Sequence, residues 1–149
     1  MKHQAVLPPT YLGIAIIVMV VIHFLFPLER IIPFPWDLLG ALPLVLGAAL
    51  NIIADQAFRA ARTTVKPFQE SIALVTDGVY RISRHPMYLG FVLSLLGLAI
   101  LLGSLTPFLI VLIFAVVMDR VFIVVEERML GEKFGQAWLN YKASVRRWI

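Results

Sequence analysis

The chain has 149 residues, 60% of them hydrophobic and 15% charged, with a net charge of +4 and no cysteine. A soluble domain carries about 25% charged residues, so the lipid bilayer is the expected solvent, with room for a single domain over residues 1–149. The absence of cysteine excludes disulfides, thiolate zinc sites and a cysteine nucleophile, and no other metal-ligand set is read; the basic residues gather beside apolar runs, which points to membrane topology and not to nucleic acid.

The first apolar run, 11–28, carries no charge until Glu29 and leads into the turn Ile31-Ile32-Pro33-Phe34-Pro35-Trp36. About 20 residues cross a hydrocarbon core, so this run is a membrane span. It exceeds the apolar core of a signal peptide, and no small-x-small cleavage site follows it. The second span, 36–54, opens on Trp36 as an interfacial anchor, and its helix is expected to continue through Asp55, Arg59 and Arg62. Residues 87–118 hold no charge. As one helix they would reach about 48 Å, too long for a core of about 30 Å. They divide at Gly103-Ser104-Leu105-Thr106-Pro107, Gly103 ending one helix and Pro107 starting the next, which gives spans 87–102 and 107–125. From Glu126 the chain is polar and aromatic and is expected to form short cytoplasmic helices. The fold class is all-α: an integral membrane bundle of about four transmembrane helices.

Orientation follows from lysine and arginine placement. Arg59, Arg62, Lys66, Arg81 and Arg84 lie between spans two and three, Arg128, Lys133, Lys142, Arg146 and Arg147 lie in the tail, and Lys2 falls on the same side. The other side has Arg30, paired in sequence with Glu29. Both termini and the long loop are therefore expected to face the cytoplasm, together with any active site among those residues.

Gly40 and Gly47 share one face of span two, and Gly90 and Gly97 one face of span three, the pattern of close helix packing. His23 reads as a packing or helix-to-helix hydrogen-bonding residue. Asn51, Asp55, Arg59 and Arg62 share a helix face, either as an interfacial ion-pair ladder or as a functional set. Asp119 and Glu126 fall on one face of span four, with Arg120 and Glu127 on the adjoining one. Two adjacent carboxylates, Glu126 and Glu127, invite a cationic partner at the membrane edge. Asp77-Gly78 signals a turn, and Pro86 suits the first turn of span three, which places Arg84 and His85 at a helix N-terminus that favours anionic groups.

Several segments together resemble the isoprenylcysteine carboxyl methyltransferase family, including its short prokaryotic members, and the related phospholipid methyltransferases. They are Leu74-Val75-Thr76-Asp77-Gly78-Val79-Tyr80, Arg84-His85-Pro86-Met87-Tyr88-Leu89-Gly90, Glu126-Glu127-Arg128-Met129-Leu130, Phe134-Gly135-Gln136-Ala137-Trp138-Leu139-Asn140-Tyr141 and Val145-Arg146-Arg147-Trp148-Ile149. The match runs from about residue 63 to 149, which makes that half the expected cofactor-binding part. The resemblance implies an S-adenosylmethionine-dependent methyltransferase, with S-adenosylhomocysteine as product and a lipidic acceptor drawn from the bilayer. It implies cofactor contacts from Tyr80, Arg84, His85, Pro86, Tyr88, Gly90, Glu126, Glu127, Phe134 and Tyr141, with Trp138 as a further lining candidate, and catalytic roles for Glu127 and Arg147. The roles of Glu126 and Glu127, and the choice between Arg146 and Arg147 for an acceptor carboxylate, stay open. The family pattern often continues into a proline beyond the position of Ile149, so a less complete cap is expected. The short N-terminal half favours a lipid or prenylated small molecule at least as much as a prenylated protein.

The leading expectation is carboxyl O-methylation of a prenylcysteine-like or other lipid carboxylate. Phospholipid amine N-methylation is the nearest alternative, and a non-enzymatic four-helix scaffold or small transporter the next. A transporter places ionisable pairs at the bilayer midplane, whereas these lie mostly at one edge. A soluble Rossmann-type methyltransferase is excluded by hydropathy and by the lack of any Gly-x-Gly, and a nicotinamide-dependent sterol reductase ranks low at this length.

Overall fold

The computed structural model describes residues 7–62 and 73–149. Lys2 and Lys66, and the first residues of the 63–149 half, lie outside the described residues. Among those described, the chain is helical apart from turns and a single bridge, Arg30 to Ser104. Helix α1 spans Pro8–Leu25. A 3₁₀ turn at Trp36–Gly40 runs into α2, Ala41–Ala60, and a second at Gly78–Arg81 precedes α3, Pro86–Leu102. Helix α4, Leu105–Val117, passes through a π-helical turn, Met118–Ile123, into α5, Val124–Phe134, and α6, Gln136–Ser144, completes the set.

The stretches Pro8–Leu25, Trp36–Ala60 and Leu105–Phe134 are each long and apolar enough to cross a membrane, and α3 is a shorter apolar helix beside them. The chain is thus an integral membrane helical bundle. Its outer surface agrees with that solvent: Ile17 and Phe24 on α1, Leu42 and Val45 on α2, and Leu112 and Ile113 on α4 are all more than half exposed. In lipid, unlike water, such exposure costs nothing.

Without a hydrophobic drive between helices, close approach has to supply the attraction. The glycine faces supply it between α2 and α3. A Cβ on Gly40 would run into the Gly97 carbonyl and Leu101, one on Gly47 into the Gly90 carbonyl and Ser94, and one on Gly90 into the Asn51 side chain. Asn51 donates to the Gly47 carbonyl at 2.9 Å instead of joining a charged ladder. Of that ladder, Arg59 reaches Asp55 at 2.7 Å, while the helix stops at Ala60 and Arg62 turns away in a left-handed conformation with φ of 51°. Helix α1 leans on α4 instead, with Met19 fully buried and Tyr11 edge-on to Phe122 at 5.3 Å.

At one end the two tight connections seal each other. Gly103 takes φ of 72° and ends α3, as a helix-terminating glycine does. Its carbonyl accepts from the amides of Ile31 and Ile32, and the Leu105 amide donates to the Glu29 carbonyl. Helix α4 starts at Leu105 with Ser104 at its N-cap, so Pro107 sits inside the first turn, where its missing N–H has no partner to lose. Arg30 pairs with Asp37 at 3.1 Å and not with its neighbour Glu29, because the turn at 31–36 folds Asp37 back under it. His23 bonds Ser104 at 2.7 Å across helices, the hydrogen-bonding role expected of it.

Candidate functional site

The opposite end gathers the remaining charge. Gly78, with φ of 63°, turns the chain so that Tyr80 is buried, and the 3₁₀ turn delivers Ser83, Arg84 and His85 to the start of α3. Pro86 occupies the first helical position, which leaves His85 as the N-cap residue with its ring free of capping duty. Ser83, 1% exposed, accepts from the His85 amide at 3.1 Å and donates to the Arg147 carbonyl at 3.2 Å. The Arg84 amide donates to the Arg146 carbonyl at 3.0 Å. The C-terminal tail is therefore laid along the loop before α3, backbone against backbone.

Glu127 is the hub. Its carboxylate, 6% exposed, accepts from Arg84 at 2.8 and 3.1 Å and from Arg147 at 2.7 and 3.3 Å, and His85 Nε2 stands 3.3 Å from it. Arg84 also spends Nη1 on the carbonyls of Lys142 and Val145 and lies over the Trp138 ring at 5.8 Å, so every nitrogen of its guanidinium is engaged within the protein. Arg147 reaches past Glu127 to both oxygens of Asp119, at 3.2 and 3.4 Å. Its bonds to Glu127 hold the guanidinium above its usual pKa. Arg146 is exposed and contributes its backbone, so Arg147 is the arginine that reaches this centre.

Glu126 differs from its neighbour. Its Oε2 is buried and accepts no hydrogen bond, with His85 Nδ1 at 3.7 Å. Tyr88 lies beside it and beside His85, ring centroids 5.9 Å apart, and continues into Phe122 and Phe91. A second apolar layer joins Tyr80, Trp138, Tyr141 and Ala54, with Phe134 at its margin. The Tyr141 hydroxyl donates to the Tyr80 carbonyl at 2.6 Å. Burial pushes Tyr141 up to about 12, a rise that the Arg84 charge opposes, and burial raises Tyr80 too, with the Glu126 charge adding to it.

The structure thus brings together Arg84, His85, Glu126, Glu127 and Arg147, places Tyr80, Phe134, Trp138 and Tyr141 in the adjoining layer, and turns Gly90 toward α2. The helical phase of span four differs from the sequence expectation, since Asp119 shares its partner Arg147 with Glu127 and not with Glu126. The π turn is the cause. An α-helix aligns residues seven apart, and one extra residue in the turn rotates the rest of the helix by about 100°, aligning residues eight apart. Ser83 joins the site with only its adjacency to Arg84 and His85 as a sequence signal, and Asp119, singled out in the sequence beside Glu126, joins it through Arg147.

The model of the phospholipid methyltransferase family matches residues 36–137. The chain belongs to that family. Among relatives of this methyltransferase-family chain, the protein-S-isoprenylcysteine O-methyltransferase of Saccharomyces cerevisiae is 38% identical over 143 residues, covering 88% of this chain and 58% of the yeast protein. Isoprenylcysteine O-methyltransferase A of Arabidopsis thaliana is 42% identical over 81 residues, 52% of this chain and 40% of its own. An uncharacterised protein of Haemophilus influenzae is 41% identical over 63 residues, 42% of this chain and all of its own. The solved structure of a eukaryotic intramembrane Ras methyltransferase, isoprenylcysteine carboxyl methyltransferase, superposes with a TM-score of 0.68 at 26% identity, covering 100% of this chain and 53% of the other. The chain spans about half the length of the named methyltransferases it matches.

Proposed function

We propose that this chain is an S-adenosylmethionine-dependent methyltransferase that O-methylates the carboxylate of a lipidic, prenylcysteine-like acceptor at the cytoplasmic edge of the membrane. The observation that carries the reading is Glu126: a buried carboxylate oxygen without a hydrogen-bond partner, beside an arginine cluster that neutralises its neighbour Glu127. A carboxylate oxygen buried without a hydrogen bond is costly, and a cationic ligand would satisfy it. The donor set suits a molecule with a sulfonium, an amino-acid end and an adenine: Glu126 for the positive groups, His85 and the N-terminus of α3 for the carboxylate, and Tyr80, Tyr88, Phe134 and Tyr141 for the ring.

When bound, that cofactor supplies a methyl group on a positively charged sulfur, which an acceptor oxygen takes in line as the sulfur becomes a neutral thioether. The protein's own work is alignment and exclusion of water. Arg147, 34% exposed, orients the acceptor carboxylate; Glu127 holds Arg84 and Arg147 and so fixes the tail over the site. A carboxylate acceptor is already ionised and asks for no base. The cytoplasmic placement, with both termini on that side, is supported by Arg59, Arg81, Arg84, Arg128, Lys133, Lys142, Arg146 and Arg147 at this end against Arg30 at the other.

The family description favours a second reading, phospholipid amine N-methylation, in which Glu126 takes the proton an ammonium acceptor must lose. Incubation with a prenylcysteine analogue and, separately, with phosphatidylethanolamine, followed by product analysis, separates the two. Methyl ester from the first supports the carboxyl reading, and methylation of the amine alone overturns it.

A further inference from the structure

Arg147 is shared between two carboxylates on unequal terms. Its Nε and Nη2 face Glu127, which is buried and held also by Arg84 and His85. Nη1 alone faces Asp119, whose side chain is 20% exposed. Asp119 has another cation within reach, Arg120, with Nε 3.7 Å from Oδ2 on a largely exposed side chain. With Ala115, Val116 and Trp148, these two residues line an open groove of about 330 Å³ on the surface of α4. Asp119 thus both lines this groove and contacts Nη1 of Arg147.

We propose that Asp119 is an internal stand-in for the acceptor carboxylate. It occupies Nη1 of Arg147 between turnovers, yields to a charged acceptor by moving to Arg120, and returns once the acceptor has become a neutral ester. The inference rests on the carboxyl-acceptor reading above. Three carboxylates around one guanidinium repel one another, so an incoming carboxylate has to displace one of those present. Glu127 is anchored by three partners, whereas Asp119 is the one with an alternative. The ester product loses the charge assistance that roughly doubles the strength of a hydrogen bond to arginine, so it cannot hold Nη1 against the returning Asp119. The π turn makes this possible, because it puts Asp119 on the face of Glu127.

The test is calorimetric binding, without methyl donor, of a prenylcysteine analogue with a free carboxylate and of its methyl ester. The proteins are the detergent-purified parent, Asp119→Asn and Asp119→Glu. Loss of an internal competitor tightens binding, while damage to the fold weakens it. Asp119→Asn is expected to bind both ligands about threefold to fivefold more tightly than the parent, as suits a partly exposed ion pair, and Asp119→Glu to return toward parental values. Unchanged or weaker binding of the carboxylate by Asp119→Asn, with the parent binding it, overturns the stand-in role alone. Failure of the folded parent and the variants to bind the carboxylate overturns the carboxyl-acceptor reading and the stand-in role with it.

Discussion

Glu127 holds Arg147 through both carboxylate oxygens, at 3.3 and 2.7 Å, and thereby fastens the last five residues to the end of the helix that begins at Leu105. The same carboxylate neutralises Arg84, whose side chain is 7% exposed. Removing one member of a buried pair strands the other charge, at about 3–5 kcal/mol. Glu127→Ala is expected to lower the unfolding temperature in detergent strongly and to open the tail to protease. Arg81→Ala, which breaks the exposed Asp77 pair, is expected to cost less than about 1 kcal/mol.

The alkaline limit of stability should report on the tail. Tyr141 ionises near pH 10 when unfolded and near 12 when folded, so its contribution is complete below pH 10 and fades as pH rises from 10 through 12. Tyr141→Phe is expected to lose about 1 kcal/mol at neutral pH, from the bond to the Tyr80 carbonyl, and to flatten the alkaline fall. Unfolding temperatures measured from pH 8 to 12 check both effects.

The α2–α3 contact should be intolerant of side chains. Gly47→Val pushes a branched side chain into the Gly90 carbonyl and Ser94, and is expected to cost about 1–3 kcal/mol. Gly13→Val, where nothing lies within 4 Å, is expected to leave stability nearly unchanged. Thermal unfolding of the two variants in one detergent makes the comparison.

Removing one residue from the π turn should leave a plain α-helix in which positions 119 and 127 stand seven residues apart, so that Glu127 still faces Arg84 and Arg147, whereas removing two should swing it about 100° away. Deletion of Val121, an exposed position, is expected to keep helix content by circular dichroism and a protease-resistant tail, while deletion of Arg120 and Val121 together opens the tail to protease. A protease-sensitive tail after deletion of Val121 alone would contradict the role given to the turn.

The bundle was legible in the sequence because lipid imposes long apolar runs, and because Gly103 marks a helix end in the midst of an otherwise unbroken one. The glycine pairs on α2 and α3 and the hydrogen-bonding role of His23 were legible for the same reason, few residues being able to serve there. The clustering of Arg84, His85, Glu126 and Glu127 followed from two short segments at the ends of one hairpin. The hidden features depend on phase and on long-range return of the chain. Nothing local in Met118–Ile123 announces an extra residue per turn, so Glu126 was aligned with Asp119 in place of Glu127. Nor does a run ending in Val145-Arg146-Arg147 reveal that its carbonyls will accept from Arg84 and Ser83, which commits Arg84 to the tail. Arg30 went to Asp37 because the turn between them, and not sequence adjacency, sets the distance.

On the proposed function, the unbonded Oε2 of Glu126 receives a cationic methyl donor. Calorimetric titration of S-adenosylhomocysteine, whose ammonium remains though its sulfur is neutral, into the detergent-purified parent, Glu126→Gln, His85→Ala and Glu29→Gln tests it directly. Glu29 lies at the opposite end of the bundle and serves as the control. One-site binding is expected of the parent and of Glu29→Gln, with a loss of about tenfold or more in Glu126→Gln and His85→Ala, the scale of a hydrogen bond to a charged group. No binding by the folded parent, or parental affinity in Glu126→Gln, would contradict it.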